Sequence, residues 1–114
     1  MKFSLTEYNV SPKIEERNVF SIQLVDDVLL YNGQIMDSNK IDLVKNLFIE
    51  YRETIVLANL EKVSSYKGGR QCNIAIKYDD GVVLNVIGNT SSVNMSGLYS
   101  DIKSRLISIL DNEV

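Results

Sequence analysis

The sequence predicts an α+β two-layer sandwich, an antiparallel sheet of four to five strands with two helices, in the order β-β-β-α-β-β-α. Three observations carry this. Residues 71–88 read as two runs of strand period that meet at the turn Asp79-Asp80-Gly81. Ile41, Val44, Phe48, Tyr51, Ile55 and Ala58 recur at spacings of three and four, which is a helical stripe. Tyr99, Ile102, Leu106 and Ile109 repeat the pattern near the C-terminus.

Taken in order, Lys2 to Tyr8 predicts a first strand with Phe3 and Leu5 on one face. Asn9 to Asn18 is polar, holds the lone proline, Pro12, and reads as a surface loop with Ile14 as its anchor. Val19 to Val25 and Val28 to Tyr31 flank Asp26-Asp27 and predict a hairpin, with Phe20, Ile22 and Leu24 facing the same way. Asn32-Gly33 is a further turn or bulge signal. Asp37, Ser38 and Asn39 are three successive N-cap candidates ahead of the first helix. The unbroken stripe predicts a helix that continues to Leu60, although β-branched Thr54-Ile55-Val56 favours a strand there. Glu61 to Arg70 is a loop carrying Gly68-Gly69, Asn89 to Gly97 is a second loop, and the last helix spans Leu98 to Leu110 with Asn94 or Ser96 as cap.

The register of the second hairpin can be read from its residues. A two-residue Asp80-Gly81 loop would set Ile76 opposite Asn85 and mix polar with apolar on both faces. A three-residue loop sets Tyr78 opposite Val82, Ile76 opposite Leu84 and Ile74 opposite Val86. One slip of register turns every side chain over, so the consistent apolar face selects the longer loop, with Gly81 supplying a positive φ. The other face interleaves Ala75, Val83 and Ile87 with Asn73, Lys77 and Asn85. It is neither plainly core nor plainly solvated.

The 114 residues form a single domain, residues 1–114, with a net charge of −3. Phosphate contacts need a basic surplus, so the expectation is no nucleic acid partner. No apolar run approaches the length of a membrane span, and no signal sequence leads the chain, so a cytoplasmic protein without membrane contact is expected. The bias toward Asn, Ile, Ser and Lys suggests an AT-rich bacterial or phage source.

Catalytic equipment is sparse. Histidine is absent and cysteine occurs once, which excludes Ser-His or Cys-His nucleophiles and zinc sets of His and Cys. There is no P-loop and no GxGxxG, so no cofactor is expected. Cys72 shares a face with Ile74 and Ile76 and is expected to be buried packing. Glu15-Glu16, Asp26-Asp27 and Asp79-Asp80 fall in turns or loops, where acidic residues serve the backbone, so no metal is expected.

The expected function is therefore that of a small intracellular protein-binding module without catalytic activity: an inhibitor, an immunity-type protein or a regulatory protein. Its partner would be another protein or a second copy of the chain. The candidate binding residues are Tyr66, Lys67 and Arg70 in the glycine-containing loop, beside Lys62, and Ala75, Lys77, Val83, Asn85 and Ile87 on the mixed hairpin face. Two alternatives stand beside it. One is a small-molecule or anion site, between sheet and helices or near Tyr66–Arg70. The other is a structural subunit of a larger assembly.

Overall fold

A computed structural model describes residues 1–9, 18–60, 70–89 and 97–111. The strands are β1 (Lys2–Asn9), β2 (Asn18–Val25), β3 (Val28–Tyr31), β4 (Gln34–Ile35), β5 (Arg70–Lys77) and β6 (Val83–Asn89). The helices are α1 (Ile41–Glu50), α2 (Arg52–Leu60) and α3 (Leu98–Leu110), with one 3-10 turn at Ser38–Lys40. All strands join one antiparallel sheet in the order β4-β3-β2-β1-β5-β6. The α+β class agrees with the sequence reading. The sheet has six strands where four to five were expected, and there are three helices instead of two.

The first hairpin turns in two residues. Val25 faces Val28, and Asp26 and Asp27 adopt φ of 52° and 61°. A turn with two left-handed residues matches the right-handed twist of its strands. Asn32-Gly33 repeats this geometry, with φ of 49° and 84°. It also docks on β2: the Asn32 amide donates to the Ser21 carbonyl, and the Ser21 amide donates to Asn32 Oδ1, both at 2.8 Å. The turn leads into the extra strand, β4. Two residues are too few to display a period, which is why the sequence predicts only a turn there.

The β5–β6 register is the one the apolar face selects. Ile76 pairs with Leu84, Ile74 with Val86 and Lys77 with Val83. The Tyr78 amide donates to the Val82 carbonyl at 2.9 Å across the three-residue loop, and Gly81 sits at φ 90°.

The long stripe behaves as one helix at its surface and as two in its backbone. Tyr51 departs to ψ 5° and separates α1 from α2. The hydrogen bonds on either side persist, from the Tyr51 amide to Leu47 and from the Ile55 amide to Tyr51. Val44, Phe48, Ile55 and Ala58 therefore stay buried along one line. Of the three cap candidates, Asp37 stands at the N-cap of the 3-10 turn that leads into α1 but makes no capping hydrogen bond with its side chain, and Ser38 and Asn39 lie inside that turn. Tightened first turns of this kind are common at helix termini. At the other end of the bundle, Lys40 Nζ donates to the Leu110 carbonyl at 2.7 Å, which satisfies an end group of α3 and places a cation at its negative pole.

One face of the sheet carries the core. Phe3, Leu5, Phe20, Ile22, Leu24, Leu29, Ile74, Ile76, Leu84 and Val86 are buried against the three helices. The Phe3 and Phe48 rings lie 4.4 Å apart, and the Tyr78 hydroxyl donates to the Phe48 carbonyl at 2.8 Å. Helix α2 packs along the edge strand β6, where Asn59 Oδ1 accepts from the Asn85 amide at 3.2 Å. Occupying an outward-facing amide in this way blunts an open sheet edge.

Candidate functional site

Two regions stand out, on opposite sides of the sheet. The first is the face turned away from the helices. Because successive side chains alternate, the buried register of β1, β2, β5 and β6 fixes which residues point outward. Ala75, Lys77, Val83, Asn85 and Ile87 all lie there, with Val83 64% and Ile87 54% exposed. The strand order extends this surface beyond the hairpin. Ser4 and Gln23 continue the row through Ala75, and Leu30 and Ile35 complete it at the far edge, where Ile35 is 76% exposed.

The face has a distinct electrostatic character. Among the described residues its only charged side chains are Lys2 and Lys77, which sit directly opposite each other across β1 and β5. Like charges at directly opposed positions work against sheet pairing. Neither lysine has an ion-pair partner among the described residues. Nearby, Asn73 keeps its side-chain oxygen buried with no hydrogen-bond partner among the described residues.

The loop candidates do not join this face in the described structure. Lys62, Tyr66 and Lys67 lie outside the described residues, as do Glu15-Glu16, Ile14 and the cap candidates Asn94 and Ser96. Arg70 begins β5 and its backbone pairs with Asn9.

The second region was not singled out from the sequence. Glu7 lies on the core side of β1, only 2% exposed, in line with Phe3 and Leu5. The Tyr99 hydroxyl donates to its Oε1 at 2.5 Å, and Lys103 Nζ donates to the same oxygen at 2.8 Å. Lys103 also lies 5.1 Å from the Phe20 ring centre and 5.9 Å from that of Tyr99. The cluster follows from two periods: β1 alternates in twos, and Tyr99 and Lys103 are one helical turn apart on α3. A signal was present, since the alternation that buries Phe3 and Leu5 also sends Glu7 inward. Beside the cluster opens a concavity of about 440 Å³, lined by Glu7, Tyr99 and Lys103 with Gly97, Ser100, Ser104 and Ile107.

The remaining candidates resolve into structural roles. Cys72 is fully buried. Burial first, and then the neighbouring Glu7 carboxylate, pushes its thiol up to about 12, against a smaller opposing effect of Lys103. Nucleophilic thiols have the opposite, depressed behaviour. The adjacent carboxylates diverge to separate cations. Asp79 takes the N-terminal ammonium and Asp80 takes Arg52 at 2.7 Å, and these hydrogen bonds hold both below the usual carboxylate range. Asp27 lies 3.8 Å from Lys45. Among the described residues no three His, Cys, Asp or Glu side chains come together as a metal-binding group, and no helix is long and apolar enough to cross a membrane.

Comparison with known proteins adds no further assignment: no family model, no curated protein and no solved structure matches this chain.

Proposed function

We propose that this domain works by binding another protein, or a second copy of itself, through the sheet face turned away from the helices. It acts without catalysing a reaction, as an inhibitor, an immunity-type neutraliser or a regulatory subunit does. The observation that carries this reading is the composition of that face. Exposed Val25, Val28, Ile35, Val83 and Ile87 surround a polar, uncharged centre, and a pair of apposed lysines forms its only charge among the described residues. Protein interfaces have this mixture: they are about as apolar as ordinary surface, and depletion of charge at their centre sets them apart.

The chain holds 15 acidic residues, yet none of the described outward-facing positions of the sheet carries one. An acidic partner surface would relieve the Lys2–Lys77 repulsion and complement the face. The test compares wild type with Lys77→Glu as bait for proteins of the native host. The expected result is an acidic protein held by wild type, released by raised salt and lost from Lys77→Glu at an unchanged melting temperature. The same eluate from both baits, together with a strict monomer in light scattering, would remove the support for this reading.

A further inference from the structure

The concavity beside Glu7, Tyr99 and Lys103 lies across the sheet from the proposed protein-binding face and has a chemistry of its own. At about 440 Å³ it falls within the range of small-molecule pockets. Its walls are of two kinds. Ile107 and the flank of Tyr99 are apolar, whereas Ser104 and the Lys103 ammonium offer hydrogen-bond donors, the Ser100 hydroxyl already donating to the Gly97 carbonyl at 3.2 Å.

The ammonium is the informative group. It has three N–H donors, and Glu7 Oε1 is its one hydrogen-bond acceptor among the described residues. Its other near neighbours are the faces of two aromatic rings. Two of the three donors thus have no hydrogen-bond acceptor among the described residues, and Lys103 lines the open space. Stability alone gives no reason for the arrangement, because a buried ion pair is commonly matched or bettered by apolar residues of similar size.

We propose that this concavity binds a small monocarboxylate with an apolar body, its head group meeting Lys103 and the Ser104 hydroxyl and its body lying against Ile107. Charge sets the class. Lys103, shared with Glu7, is the one cation among the described residues lining the concavity, so a single carboxylate finds a partner and the second charge of a dianion finds none. Size leaves room for a chain or ring beyond the head group.

The test is a titration of the intact protein with hexanoate, with hexanamide as the uncharged comparator, followed by amide chemical shifts. Hexanoate is expected to give saturable shifts centred on Ser100, Ser104 and Ile107, with hexanamide weaker by about tenfold or more. Lys103→Met should abolish the difference between the two. Because that variant removes the ammonium paired with Glu7, a second variant, Ser104→Trp, fills the concavity from an exposed position without touching the Glu7 pairing. It should lose hexanoate binding while keeping its melting temperature. Hexanoate shifts that never saturate, that lie elsewhere, or that hexanamide reproduces at equal affinity would overturn the proposal. So would full hexanoate binding by Ser104→Trp.

Discussion

Ile76→Asp is expected to abolish the folded state at neutral pH. Ile76 is buried on the core side of β5, paired with Phe3 on β1 and Leu84 on β6. The substitution removes roughly 1.5–3 kcal/mol of apolar burial. It also drives a carboxylate into the layer beneath Phe48, whose ring packs on Phe3, where no described cation stands ready to pair with it. An unpaired buried charge costs several kcal/mol even after relaxation. The two together rival the roughly 5–15 kcal/mol that holds an ordinary domain folded. Circular dichroism should show no cooperative thermal transition. Ile76→Val, which deletes one methyl group, should cost only about 0.5–1.5 kcal/mol. A cooperative transition in the Asp variant near that of wild type would mean that this face is not core.

Glu7→Ala is expected to cost about 3–5 kcal/mol, because it breaks a buried pair and leaves its partners behind. The Lys103 ammonium loses its only hydrogen-bond acceptor among the described residues, and the buried Tyr99 hydroxyl loses the acceptor at 2.5 Å. For a domain of this size the loss corresponds to a fall in melting temperature of about 10–20 °C. Replacing the three described members of the cluster with apolar shapes, as Glu7→Leu with Tyr99→Phe and Lys103→Met, should return stability to within about 1–2 kcal/mol of wild type. Urea unfolding of the single and triple variants separates the two effects. If Glu7→Ala unfolds within experimental error of wild type, the cluster has no structural role.

The contrast between these residues shows what could be read from the chain. The core side of β5 and β6 was legible because a period of two and a three-residue loop together admit a single register that keeps Ile74, Ile76, Leu84 and Val86 on one side. The same logic set Cys72 among packing residues. The long stripe placed Val44, Phe48 and Ile55 correctly, since burial follows the periodicity of side chains and tolerates one displaced ψ at Tyr51. That backbone break has no counterpart in the pattern, so two helices were expected where three occur. The strand β4 was missed because two residues carry no period.

The candidate sites were legible only where they are local. Ala75, Lys77, Val83, Asn85 and Ile87 share a hairpin, so their common face follows from sequence. The extension of that face through Ser4, Gln23, Leu30 and Ile35 depends on strand order, a property of long-range pairing. The Lys2–Lys77 apposition depends on it too. Glu7 and Lys103 stand 96 positions apart and meet only because α3 crosses β1. Each half was visible as an exception, a carboxylate on an apolar strand face and a lysine one turn from a core tyrosine.

The proposed function divides labour between the two faces of one sheet, core on one side and partner on the other. Val83→Glu tests it most directly, because Val83 lies opposite Lys77 on the outer face and is largely exposed. In a quantitative co-purification at matched protein concentration, the variant should keep the melting temperature of wild type to within a few degrees and lose the partner that wild type retains. A variant that unfolds as Ile76→Asp does would show that the outer face is also core. A stable variant that retains the partner in full would place the interface elsewhere on the molecule.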